Sequence, residues 1–219
     1  MNASHKRLLA TCAAVHGLQD GLTASIYVLL PVLAQSFGLG YAQIGAIRAV
    51  HSGEMWLLEI PAGILSERVG ERRLLVLGLT GAGVGYLAMS LANGYHGVLL
   101  ALLIAGCGAA FQHSLCSSLI AGAFEGPDRR VALGTYNASG DTGKLLFTGI
   151  ASVLFGFHVG WQGLATVYGF VALTAAGILW FVLRSIKKST VLPMTLGARN
   201  SLSIFGNGKR NMAVSLSSS

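Results

Sequence analysis

Leu74-Leu75-Val76-Leu77-Gly78-Leu79-Thr80-Gly81-Ala82-Gly83-Val84-Gly85-Tyr86-Leu87-Ala88-Met89-Ser90-Leu91-Ala92 opens a stretch, residues 74–124, that contains no Asp, Glu, Lys or Arg. One helix needs about 20 apolar residues to cross a bilayer, so this stretch holds two crossings, broken at Asn93-Gly94-Tyr95-His96. Working outward, residues 145–183 carry none of these four residue types either, and residues 8–47 carry only Asp20. Of the 219 residues, 53% are hydrophobic and 11% are charged, where soluble domains have about a quarter charged. A water-soluble globule is excluded. Backbone polar groups in lipid must be satisfied within their own segment, so the expected class is all-α and polytopic.

Dividing the apolar runs at Gly, Pro, Asn and charge clusters predicts six spans, at 8–36, 41–65, 73–92, 97–122, 130–157 and 161–184. Lys6-Arg7 followed by an apolar run mimics a signal peptide. The run continues past His16 and Asp20 to Phe37, too long for a signal core, so it reads as a retained first helix. The basic residues between spans are Lys6, Arg7, Arg68, Arg72, Arg73, Arg129, Arg130, Arg184, Lys187 and Lys188, and all ten fall at one side. The positive-inside rule then places both termini in the cytoplasm of a plasma membrane. Residues 1–188 are expected to form the bundle and 189–219, rich in Ser, Asn and Gly, a disordered cytoplasmic tail.

The excess of 15 Lys and Arg over 8 Asp and Glu is dispersed among short inter-helix segments. A nucleic-acid partner needs a gathered basic face, so the attracted partner is anionic lipid. Cys12, Cys107 and Cys116 are odd in number, lie inside apolar segments and have no metal-ligand spacing. They read as packing residues, and neither a metal nor a cofactor is expected.

Between the second and third spans stands Gly63-Ile64-Leu65-Ser66-Glu67-Arg68-Val69-Gly70-Glu71-Arg72-Arg73. This resembles the cytoplasmic loop signature of the major facilitator superfamily of transporters, with Glu67 in place of the usual Asp and Glu71 in place of a basic residue. Pro127-Asp128-Arg129-Arg130-Val131-Ala132-Leu133-Gly134 resembles that family's loop between helices four and five. The segment from His16 and Asp20 through Leu30-Pro31-Val32 to Tyr41-Ala42-Gln43-Ile44-Gly45 is similar to the fosmidomycin-resistance branch of drug exporters. The resemblance covers residues 8–188, one six-helix half of a fold that has twelve. It implies secondary transport of a small organic solute or drug, with Glu67 engaging a second six-helix bundle. Either two copies assemble, a separate chain supplies that bundle, or the chain is an inactive fragment from a truncated gene, the reading favoured by a tail with no start of a seventh span. In physical terms Gly63 allows close helix approach, Gly70 a tight turn, and Arg68, Arg72 and Arg73 hold the loop in the cytoplasm.

Ionisable residues inside a span each cost about 2.5–3.5 kcal/mol at the helix centre on insertion scales, so they face a cavity or a partner. They occur here in spans one, two, four and five, the spans that the resemblance places around the transport path. Span one sets His16, Asp20, Thr23 and Tyr27 on one helical face, and span five does the same with Asn137, Asp141, Lys144, Thr148 and Ser152. Asp20 lies about 18 Å from the cytoplasmic end of its span and Arg48 about 10 Å from the outer end of span two, so the two are placed to pair near mid-membrane. Asp141 and Lys144, three apart, are placed to pair locally. A carboxylate one turn from an imidazole exchanges protons near neutral pH, which makes Asp20 with His16 the candidate for proton coupling and Arg48 its counter-charge. His51, Glu54 and His113 are further candidates. Gly81 with Gly85, and Gly156 with Gly160, read as helix-packing contacts.

Two other classes remain beside the transporter. A non-transporting partner subunit would pair the same bundle with another six-helix protein. An intramembrane serine protease would need a Gly-x-Ser-Gly setting, and Asn137-Ala138-Ser139-Gly140 lacks the first Gly, so an enzyme is not expected.

Overall fold

A computed structural model describes residues 2–185, apart from the side chains of Met55, Trp56, Glu59, Ile60, Glu67 and Ser185. The expected tail, 189–219, and Lys187 and Lys188 lie outside the described residues. Within them the chain forms six helices and no strand: α1 (Ala3–Phe37), α2 (Tyr41–Val69), α3 (Glu71–Ser90), α4 (Tyr95–Ala123), α5 (Gly126–Gly156) and α6 (Trp161–Ser185). Four of them, α1, α3, α4 and α6, are long and apolar enough to cross a membrane. The other two, α2 and α5, carry most of the intramembrane charge.

Each helix corresponds to one predicted span, with shifted ends. Capping decides those ends, since a helix continues into polar sequence as long as its terminal groups find partners. The Asn2 side chain accepts from the His5 amide at 2.9 Å, which starts α1 five residues before the apolar run. Pro127 and Asp128 open α5 ahead of its predicted start, the proline having no amide to satisfy and the carboxylate facing the positive end of the helix dipole. Gly70 joins α2 to α3 at φ 92°, a conformation that side chains disfavour, so the tight turn expected of it is present.

Packing runs α1 against α5, α2 against α4, and α3 against both α4 and α6. The core gathers Leu22, Ile26 and Leu29 of α1 with Tyr86 of α3, Leu115 of α4 and Tyr168 of α6. The phenols there are satisfied by backbone: Tyr86 donates to the Leu22 carbonyl and Tyr168 to that of Phe147. The backbones of α1 and α5 come into close contact. A Cβ on Gly143 would overlap the Gly17 carbonyl, and one on Gly17 would stand 2.8 Å from the Ser139 carbonyl. Ser139 Oγ donates across the same seam to the Ala13 carbonyl at 2.9 Å.

Gly81 and Gly85 do pack on α4, against Gly108 and Ala105. Gly63 and Gly156 do not behave as expected, because a Cβ at either would meet nothing within 4 Å. Both lie on helix faces that no other described element covers.

Candidate functional site

The tight α1–α5 seam sets the chemistry of the bundle. With Gly17 and Gly143 in contact, Lys144, directly after Gly143, comes over Asp20, one turn beyond Gly17, and α4 closes the site from a third side. Asp20 is 5% exposed. Its Oδ2 lies 3.2 Å from Lys144 Nζ, and its Oδ1 lies 3.2 Å from His113 Nε2 and 3.6 Å from His16 Nδ1. Lys144 holds Asp141 Oδ1 at 3.1 Å as well, so one ammonium bridges a buried and an exposed carboxylate.

His16 is fixed on every side. Its ring stacks on Tyr136 with centroids 4.0 Å apart and meets His113 edge-on at 5.0 Å. Its Nδ1 lies 3.4 Å from Gln112 Oε1, and the Gln112 amide donates to Tyr136 Oη at 3.1 Å. Gly140 of α5 makes room for this cluster, since a Cβ there would stand 2.5 Å from His16 Nε2 and 2.7 Å from Asp20 Oδ2. Buried polar groups in lipid-like surroundings need such partners, and Asp20 has them from three helices.

The expected pairing of Asp20 with Arg48 is not formed. Arg48 lies 5.2 Å from the centroid of the Tyr27 ring, a cation–π contact two turns further along α1. The reason is packing: α2 lies along α4, so its guanidinium reaches only the far stretch of α1, while the glycine seam delivers Lys144 to Asp20. Thr23 is half-buried, and Tyr27 and Asn137 are exposed. The expected local pair of Asp141 with Lys144 is present. Tyr136 and Gln112 were not singled out from the sequence. Tyr136, Gly140 and Gly143 share one face of α5, and it is this small-residue face, beside the polar stripe, that meets α1.

His51 and Glu54 form a second, separate cluster. Both are buried on α2, with His51 Nδ1 3.3 Å from Glu54 Oε1 but no aligned hydrogen bond to either side chain. Glu54 presses on α4, where a Cβ on Gly106 would overlap its carboxylate. At the α2–α3 turn Arg72 Nη1 donates to the Leu183 carbonyl at 3.1 Å, tying the loop to the end of α6, while Arg68 and Arg73 are exposed. The role expected of Glu67 rests on a side chain outside the described set. Ser139, the serine considered for a protease, donates to the Ala13 and Tyr136 carbonyls.

A model of the Major Facilitator Superfamily matches residues 9–215. The chain belongs to the major facilitator superfamily. Among curated members it is 26% identical to the probable 4-methylmuconolactone transporter of Cupriavidus pinatubonensis, over 87% of this chain and 45% of that protein. It is also 26% identical to the fosmidomycin resistance protein of Escherichia coli, over 76% and 42%, and 22% identical to the gallate transporter of Pseudomonas putida, over 83% and 40%. The chain thus spans under half the length of these superfamily relatives. A bacterial homolog of the human lysosomal transporter Spinster, solved in an inward-facing and unoccupied conformation, superposes with a TM-score of 0.71 at 16% identity, over 83% of this chain and 43% of that one. The peptide transporter POT gives 0.67 at 18%, over 97% and 45%. At such identities the likeness concerns the fold, and it is the superfamily's fold that the six helices adopt.

Proposed function

We propose that this chain forms one bundle of a proton-coupled secondary transporter in the bacterial inner membrane, exporting a small organic solute, with both ends cytoplasmic and a second six-helix bundle opposite. The observation that carries the reading is Asp20, a carboxylate buried in an apolar bundle with Lys144, His113 and His16 around it. A charge at that depth is expensive even when partnered, and for that reason it marks a functional site by default. The transporter reading needs no cofactor and no enzymatic step. The class of solute follows the superfamily relatives, whose names give 4-methylmuconolactone, fosmidomycin and gallate.

The chemistry is an exchange at one atom pair. Ionised Asp20 accepts from Lys144 through Oδ2. A proton arriving on that carboxylate removes the charge that holds the ammonium, and Lys144 transfers wholly to Asp141, already 3.1 Å away. The ionic tie between α1 and α5 is then released, which changes the charge the bundle presents to its opposite number, and the two bundles rock about a site near mid-membrane.

The test is Asp20→Asn in vesicles containing the transporting assembly, with gallate and fosmidomycin as trial solutes. The variant inserts normally and loses accumulation driven by a pH gradient. Full pH-driven transport by a normally inserted Asp20→Asn would eliminate Asp20 as the carrier, and failure to insert would favour a purely structural pair.

A further inference from the structure

We propose that His16, Asp20 and His113 together bind a divalent transition metal, with zinc preferred, and that the bound ion displaces Lys144 from Asp20. The three residues offer ligand atoms that all lie within 4.8 Å of one another. Donors at 2.0–2.1 Å from a tetrahedral zinc stand about 3.4 Å apart. Asp20 Oδ1 is 3.2 Å from His113 Nε2 and 3.6 Å from His16 Nδ1, so two of the three ligand-to-ligand edges already have zinc spacing. His113 is the freest of the three, 30% exposed at its side chain, so its ring has room to shorten the third edge, which is already within 4.8 Å. His16 and Asp20, one helical turn apart, reach a common ion without backbone movement.

Lys144 is the competitor. Its ammonium faces Oδ2, whereas both imidazoles face Oδ1, so an ion ligated through Oδ1 does not have to enter the space that Lys144 occupies. Repulsion by the dication drives Lys144 away, and Asp141 receives it without stranding a charge. Gln112 gives up its long contact with His16 Nδ1 and keeps the one to Tyr136. Two imidazoles and one carboxylate suit zinc, cobalt or nickel better than magnesium or calcium, and three protein ligands leave a fourth position for water. The sequence showed no such motif because the third ligand comes from a different helix, 93 positions beyond Asp20. A bound dication would keep Asp20 unprotonated and block the coupling proposed above. That consequence rests on the coupling reading, whereas the binding itself does not.

The experiment is therefore equilibrium binding with no gradient and no solute. Co²⁺ is titrated into the detergent-purified chain, free of any polyhistidine tag, read by visible absorption and competed with Zn²⁺. A one-to-one tetrahedral spectrum is expected. His113→Ala and Asp20→Asn should each weaken binding at least about tenfold. Lys144→Met should tighten it severalfold, and the exposed change Asp141→Asn, which leaves all three ligands in place, should weaken it by removing the second anchor for the lysine. No spectrum at millimolar Co²⁺, unchanged affinity in His113→Ala, or weaker binding in Lys144→Met would each overturn the site. Loss of proton coupling in Asp20→Asn vesicles is decided separately, so either reading can fail without the other.

Discussion

At the scale of single residues, Lys144 is the informative side chain, because it is half-exposed and yet touches a buried carboxylate. Its side chain is 49% exposed, so the solvent screens part of its attraction, while Asp20 is out of reach of that screening. Removing the ammonium leaves Asp20 with only imidazoles, whose charge depends on their own protons. Breaking a fully buried pair costs about 3–5 kcal/mol, and an exposed pair is worth about 0–1, so Lys144→Met should destabilise by roughly 1–2 kcal/mol. The decisive measurement is a double-mutant cycle with Asp20→Asn, followed by thermal unfolding in detergent. The two changes should be clearly less damaging together than the sum of the single effects, because each removes the partner that makes the other costly. Simple additivity would mean that Lys144 is held by Asp141 alone.

At the scale of helices, the bundle is organised by where backbones touch. Since a Cβ on Gly143 would overlap the Gly17 carbonyl, Gly143→Ala must push α1 and α5 apart, and overpacking of this kind costs about 1–3 kcal/mol. It should also move Lys144 off Asp20, so the Lys144–Asp20 coupling energy should fall with stability. Gly63→Ala, by contrast, meets nothing within 4 Å and should leave the thermal midpoint of the isolated bundle unchanged or slightly raised. Equal losses from both substitutions would argue against this packing. The contrast also marks what the sequence could show. The helical class and the order of the described helices were legible, because charge-free runs such as 74–124 have only one stable form in lipid. Asp20, His16 and the Asp141–Lys144 pair were legible too, since they lie within single helices at turn spacing. The partner of Asp20 was not. Periodicity describes one helix at a time, and the choice between Arg48 and Lys144 depends on which helices touch. The small-residue face Tyr136, Gly140 and Gly143 held that information, but polar spacing drew attention to the neighbouring stripe through Asn137 and Asp141.

For the molecule as a whole, the proposed orientation rests on charge and the proposed assembly on exposure. In the proposed topology all ten basic residues flanking the spans fall at one side, so a cysteine introduced at Asn93 or Val159 should react with an impermeant thiol reagent from outside, and one at Val69 should not. Efficient external labelling at Val69 would invert the topology. Assembly follows from α5, whose face toward Asn137 and Asp141 is uncovered among the described residues, with Asp141 76% exposed at its side chain. On the same helix Leu145 and Val153 are also exposed, so α5 offers lipid a mixed surface that hydrocarbon solvates poorly. An opposing bundle would cover that surface and enclose the Lys144–Asp141 pair in a wet cavity, and the chain spans under half the length of relatives such as the gallate transporter. The purified chain should therefore self-associate in mild detergent, and a charge-neutral Asp141→Leu, Asn137→Leu variant should shift it toward monomer by making the face lipid-compatible. Vesicles holding monomer alone should show no accumulation of gallate or fosmidomycin under a pH gradient, because alternating access requires two bodies that move against each other. Uphill accumulation by a monomer would show that six helices suffice, and would move the cavity from between two bundles to within one.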